Sequence, residues 1–274
     1  ENFSPADWYD VLLDGPKTEK QMKRLKAIIR VTGQAGIRAF GYNFSLAGVW
    51  GHQKKHAARG GAESTCFDAS LLDIQAPIPN GQGWNMTYGP GDGGYMPPVS
   101  QKELWQRLEY FIREILPVAE EAGVDMALHP DDPPMPELRQ TARLVYRPEI
   151  YQQVMELVKS PANKMELCLG SLQEMQSDRP IYDYLDKYAR AGEISYIHFR
   201  NVKGKVPCYD EVFVDEGDID MLRVLKILRD NEFEGVLIPD HTPLVNCAAP
   251  WHGGMAYALG YMRALMQAME RGLL

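Results

Sequence analysis

The sequence has only four cysteines in 274 residues, Cys66, Cys168, Cys208 and Cys247, and no two of them are spaced CxxC. This excludes a zinc ribbon and a dithiol redox motif. Sparse thiols in a chain of this size fit a reducing, cytoplasmic compartment. No apolar run approaches 18 residues, so no transmembrane helix is expected. The start lacks an initiator Met and also lacks the basic-then-apolar pattern of a secretory leader. No G-x-G-x-x-G or Walker loop is present, which removes the usual mark of an open, doubly wound nucleotide-binding sheet. Positive charge is also short. Lys and Arg number 29 against 37 Asp and Glu, for a net charge of −8. Nucleic acid and anionic membranes are therefore poor candidate partners. An anionic small molecule would need local positive charge, from a metal ion or from placed arginines.

Hydrophobic residues make up 45% of the chain, ample for a large α/β core. Helical and strand-like periodicities alternate along it. Residues 17–35 read as an amphipathic helix closed by Gly36, and 37–44 as a buried strand. Residues 45–100 break the rhythm with Gly- and Pro-rich turn clusters, and such a long irregular segment reads as a lid or binding loop. A helix over 100–122 opens with Ser100 as N-cap and Glu103 completing a capping box. Four further strands are expected at 124–129, 164–170, 194–199 and 235–240. Helices are expected at 147–159, 178–191 and 218–231, the last capped by Asp218, and a closing helix at 253–272. Repeated strand–helix units imply a parallel sheet. A TIM (β/α)8-type barrel is favoured over an open sheet, although only five strands are evident where a barrel needs eight.

The C-terminal ends of these strands carry Tyr42 and Asn43, His129, Cys168, His198, and Asp240 with His241. In a barrel, strand ends meet at one mouth. Four successive strands ending in a potential ligand, one βα unit apart, point to a metal centre formed by His129, Cys168, His198 and Asp240. This mixed N/S/O set suits Mn²⁺, Fe²⁺ or Zn²⁺ rather than an all-oxygen ion. Asp131 and Asp132 follow His129 inside "HPDDPP", where the prolines narrow the backbone. They either cap a turn or contact a ligand. Arg200 has the geometry to clamp a carboxylate at the mouth. His241 is a candidate general base, and His252 and Tyr257 are candidate proton donors.

The stretches "ALHPDDPP", "HFRNVKG", "DIDMLRVLKIL…GVLIPDH" and "AYALGYMRAL" resemble the D-mannonate dehydratase family, and "GIRAFGYNF…VW" resembles its region before the lid. That resemblance implies a xylose isomerase-like TIM barrel and a divalent ion, usually Mn²⁺, with Fe²⁺, Co²⁺ or Zn²⁺ as alternatives. It also implies dehydration of D-mannonate to 2-keto-3-deoxy-D-gluconate. By the same resemblance the ligands are His129, Cys168, His198 and Asp240, with His241 as an acid/base group. Asp132 is placed beside the catalytic set, and Asn43, Trp50, Asp131 and Arg200 with the substrate. Two departures stand out. The chain enters near the end of the family's third strand, leaving an incomplete barrel whose open edge is expected to be covered in a homo-oligomer. The family's Pro-Gly-Tyr motif, whose tyrosine donates a proton, reads Pro250-Trp251-His252-Gly253 here. The rival expectations are a sugar isomerase or epimerase on the same barrel, or a non-catalytic barrel that only binds a sugar acid.

Overall fold

The structure is a computed structural model and describes residues 2–84 and 86–274. It opens with helix α1 (Pro5–Leu13), which buries Trp8, Tyr9 and Leu12. Helix α2 (Thr18–Gln34) leads into strand β1 (Ala39–Tyr42). The next segment holds β2 (Gln53–Ala58), β3 (Ala62–Asp68), β4 (Gln82–Gly83) and β5 (Met86–Thr87). Helix α3 (Gln101–Ala122) then precedes β6 (Asp125–Leu128), and a loop carries the short pair β7 (Glu137–Leu138) and β8 (Thr141–Ala142). Helix α4 (Ile150–Leu157) is followed by β9 (Asn163–Cys168), α5 (Leu169–Glu174), α6 (Ile181–Arg190) and β10 (Ile194–His198). A hairpin, β11 (Asn201–Lys205) and β12 (Cys208–Val212), is inserted before α7 (Met221–Asp230), β13 (Val236–Ile238) and α8 (Pro250–Glu270).

Five strands form one parallel sheet in the order β1-β6-β9-β10-β13. Parallel pairing across strand–helix–strand units bends this sheet into part of a barrel wall. The register sets Cys168 directly beside His198. Side chains alternate across each strand. Glu166 and Cys168 therefore face the barrel interior with Tyr196 and His198. Met165 and Leu167 face the helices. At one edge the backbone N–H of Asn2 donates to the carbonyl of Gly41 (2.7 Å), so the N-terminal segment lies along β1. At the other edge β13 is partly exposed.

Helix α3 illustrates why these elements form. The Ser100 hydroxyl accepts from the N–H of Glu103, and the Glu103 carboxylate accepts from the N–H of Ser100 (2.8 Å). The reciprocal bonds satisfy two donors that a helix start leaves open. Leu104, Leu108, Phe111, Ile112 and Ile115 make the buried stripe, and Phe111 collects Trp8, Phe3, Tyr42 and Phe44 around its ring. Among the described residues, no helix is long and apolar enough to cross a membrane.

Several expectations change. The segment 45–100 is not irregular throughout. Strands β2 and β3 join the hairpin in a second, antiparallel sheet ordered β11-β12-β3-β2. The strand expected to run to residue 170 ends at Cys168, because α5 starts at once. The cap of α7 is Asp220, whose side chain accepts from the N–H of Arg223. Asp218 instead accepts from the N–H of Gly204.

Gly41 is the closest backbone approach in the barrel wall. A Cβ there would collide with the Tyr196 hydroxyl and the Glu166 carboxylate. Gly41→Ala is expected to destabilise the fold by roughly 1–3 kcal/mol through overpacking, read as a lower midpoint in urea denaturation. An unchanged midpoint would show that the two polar side chains move aside freely.

Candidate active site at the barrel mouth

A cavity of about 590 Å³ opens at the C-terminal ends of the parallel strands. One wall carries Glu166, His129, His198, Asp132, Arg200, Asp240 and His241. The opposite wall is largely apolar and comes from α1 and the segment after β1, with Trp8, Tyr9, Leu12, Val49, Trp84 and Met86. A mostly apolar concavity with a few convergent polar groups is the usual form of a small-molecule site.

The ring nitrogens of His129 and His198 and the Sγ of Cys168 lie within 4.8 Å of one another. Nδ1 of His129 donates to the carbonyl of Pro130 (2.6 Å), which leaves Nε2 facing the cluster. Asp240 stands beside the three, its Oδ2 3.5 Å from Nδ1 of His198. Its backbone has φ 62°, a conformation that non-glycine residues adopt at a cost and that is often found at functional sites. Glu166 also reaches the cluster, 2.9 Å from Nε2 of His198 and 4.0 Å from Nε2 of His129.

The states of Cys168 and Asp240 suit a cation, whereas His129 would have to give up a proton to it. Burial alone would push the Cys168 thiol up. The Arg200 guanidinium and hydrogen bonds from His129 and His198 overcome this and bring it down to about 5, so a thiolate is present at neutral pH. Burial disfavours a charged His129, but Glu166 and the bond to Cys168 raise it to about 9. Asp240 resists its own burial because His241, Arg200 and His198 hold it below the usual carboxylate range. Two imidazoles and a thiolate, with a carboxylate beside them, form a donor set that fits a divalent transition-metal ion.

Arg200 occupies the centre of a second network. It is 2% exposed. Its Nη1 donates to Glu211 (2.5 Å), and its Nη2 donates to Asp132 (2.7 Å), Ser171 (3.1 Å), Glu174 (3.2 Å) and the sulfur of Cys168 (3.5 Å). Gly170 leaves room for the guanidinium, which a Cβ would strike. Burial would raise the Asp132 carboxyl, yet Arg200 and His52 hold it well below its ordinary value. Glu211 is likewise held down, against burial, by Arg200 and His241. Glu174 goes the other way, pushed well above the usual range by burial and by the neighbouring Asp132. A guanidinium engaged in this way has little left to clamp a substrate carboxylate, the role expected for it from sequence.

The other expected residues divide between the cavity and its surroundings. Asn43 lines the cavity and accepts from Nε1 of Trp84 (3.2 Å). Asp132 faces the cavity while accepting from Tyr209 (2.7 Å) and contacting Nε2 of His52 (3.0 Å). Asp131 is turned away. It accepts from the N–H groups of Leu144 and Val145 and pairs with the buried Arg143 (3.0 Å), the turn-capping alternative. Trp50 lies under Arg139, 4.9 Å from guanidinium to ring, outside the cavity lining. His252 is exposed against Trp251. Tyr257 packs on Phe213 and accepts from Arg59 (3.3 Å). Neither of these two lines the main cavity. Sequence reading missed Glu166 as a neighbour of the cluster, and missed Glu174, Glu211, Tyr209 and His52 altogether. The alternation in "CYDEV" was the available signal for two of them, because it puts Tyr209 and Glu211 on the buried side.

A half-barrel of parallel strands, with a His/Cys/His cluster and an aspartate at its mouth, defines a TIM-type barrel protein with a metal-type site. The structure superposes on the crystal structure of mannonate dehydratase from Streptococcus suis serotype2 with a TM-score of 0.77 and 29% identity, covering 95% of this chain and 74% of that one. A xylose isomerase domain protein from Planctomyces limnophilus aligns with a TM-score of 0.55 at 13% identity, over 93% of this chain and 69% of that one, a likeness of fold alone. The model of the family described as D-mannonate dehydratase (UxuA) matches residues 94–273. A mannonate dehydratase of Streptococcus suis (strain 05ZYH33) is 33% identical over 281 residues, covering 96% of this chain and 75% of the relative. One from Streptococcus pneumoniae (strain 70585) is 32% identical with the same coverage. The chain belongs to the D-mannonate dehydratase family and is a hydro-lyase.

The buried carboxylates give a stability signature. Asp132 and Glu211 are depressed in the fold, so their stabilisation is fully present above the unfolded carboxylate range of about 4 and is lost as pH falls through their lower folded values. Denaturation midpoints should drop steeply below about pH 4. A flat profile to pH 3 would show that these pairs add nothing.

Proposed function

We propose that this hydro-lyase dehydrates a hexonate, D-mannonate or a close relative, to 2-keto-3-deoxy-gluconate with a resident divalent ion, Mn²⁺ in first place. The observation that carries this reading is the meeting of His129, Cys168 and His198 within 4.8 Å, with Asp240 and His241 next to them on the cavity wall. Those three and Asp240 would hold the ion, which would supply Lewis-acid charge for the substrate carboxylate. The C2 hydrogen of a hexonate is weakly acidic because it lies next to that carboxylate. Removing it together with the C3 hydroxyl leaves an enol, which becomes the 2-keto-3-deoxy acid. His241 moves the proton, since it reaches the cavity where His252 and Tyr257 do not. Asn43 and the face of Trp84 position the sugar chain. Asp132 keeps Arg200 fixed on the cavity wall. The segment 45–100 acts as a lid, for Ser45, Val49, Trp84 and Met86 all border the cavity.

One observation favours a second reading. Glu166 reaches the cluster, and sugar isomerases and epimerases of this barrel type work with carboxylates at their metal. The thiolate at Cys168 weighs against it. The partly exposed edge at β13 fits a homo-oligomer, and four free cysteines fit a reducing, cytoplasmic setting.

Protein loaded with Mn²⁺ and given a panel of hexonates should form a 2-keto-3-deoxy acid, and Cys168→Ser should lower bound metal per chain. A panel with no such product while metal is bound would defeat the dehydratase reading. Unchanged metal content in the variant would remove Cys168 from the ligand set.

A further inference from the structure

Glu211 belongs to neither the metal cluster nor the cavity lining. It comes from β12, in the antiparallel sheet outside the barrel, and is buried. Both of its carboxylate oxygens nevertheless lie 3.0 Å from Nδ1 of His241. His241 itself sits beyond the end of β13, next to a residue in the left-handed region, with its side chain 47% exposed. A ring in that position needs an anchor if one nitrogen is to point at a substrate.

We infer that Glu211 is the positioning residue for His241, fixing its proton on Nδ1 and turning Nε2 to the cavity. This rests on the proposed acid/base role of His241. The pattern of donors and acceptors supports the assignment. Nη1 of Arg200, which can only donate, is 3.2 Å from Nδ1, but two acceptor oxygens of Glu211 stand closer to the same nitrogen, at 3.0 Å. Two carboxylate oxygens facing one ring nitrogen call for a proton on it. Nε2 is 3.7 Å from Asp240, too far for a hydrogen bond, and remains available to a reactant. Oε1 of Glu211 is shared with Arg200, whereas Oε2 is aimed at His241. A carboxylate needed only to neutralise Arg200 would have no reason to present both oxygens to the imidazole.

The test uses metal-loaded protein with Glu211→Ala, Glu211→Gln, His241→Gln and the Glu211→Ala/His241→Gln pair. Glu211→Ala should lower kcat roughly 10²-fold, the scale of one acid–base contribution, with KM and metal content unchanged. Glu211→Gln, which keeps one acceptor, should lose less and guards against a folding defect in the alanine variant. In the His241→Gln background, Glu211→Ala should cause no further loss, because the two residues act as one unit. Equal losses in both backgrounds, or loss of bound metal, would overturn the inference. A readout without substrate separates it from the activity itself. Nitrogen-15 spectra of histidine-labelled protein should show a proton on Nδ1 of His241 that Glu211→Ala releases. An unprotonated Nδ1, or the same spectrum in the variant, would overturn it even if the protein proves to be an active dehydratase. A fully active His241→Gln would instead defeat the role of His241.

Discussion

Arg200 lies inside the protein with Asp132, Glu174 and Glu211 in direct contact and Asp240 3.5 Å away. Burying these groups without each other would cost several kcal/mol per ion, and removing one partner from such a network leaves an uncompensated charge. The contacts tie together segments that are far apart along the chain. Asp132 comes from the loop after β6, Glu174 from α5, Glu211 from the inserted hairpin and Asp240 from the loop after β13. Arg200 itself follows β10. One guanidinium therefore sets the spacing of nearly every strand end that forms the mouth.

That arrangement divides the chemistry into layers. Arg200 faces the sulfur of Cys168 from behind and favours its thiolate, while His129 and His198 face it from the cavity side. Glu211 links the same guanidinium to His241. The metal-type cluster and the imidazole of His241 are thus linked through one shared cation.

The strand ends are legible in the sequence because ligand-type residues recur there once per βα unit. Spacing alone groups His129, Cys168 and His198, and the interior register then sets Cys168 beside His198. The five parallel strands and most helices are legible from periodicity and capping, as at Ser100 and Glu103. The antiparallel sheet is not. Strand β2 has exposed positions in place of an apolar face, and the β3–β12 pairing that joins the two hairpins links segments more than 100 residues apart in the chain. Missing β12 means missing Glu211 and Tyr209. The acids around Arg200 are not legible for a related reason, since they come from distant segments and only folding brings them to it. Spacing along the chain puts His252 and Tyr257 near the mouth, yet α8 begins at Pro250 and carries both away from the main cavity.

The central claim is that this site eliminates water across C2 and C3 of a hexonate. Running the reaction on D-mannonate in deuterium oxide tests it most directly. Elimination through an enol predicts one deuterium at C3 of a 2-keto-3-deoxy product. Deuterium at C2 of an intact hexonate, with no loss of water, would contradict the account and point to an epimerase.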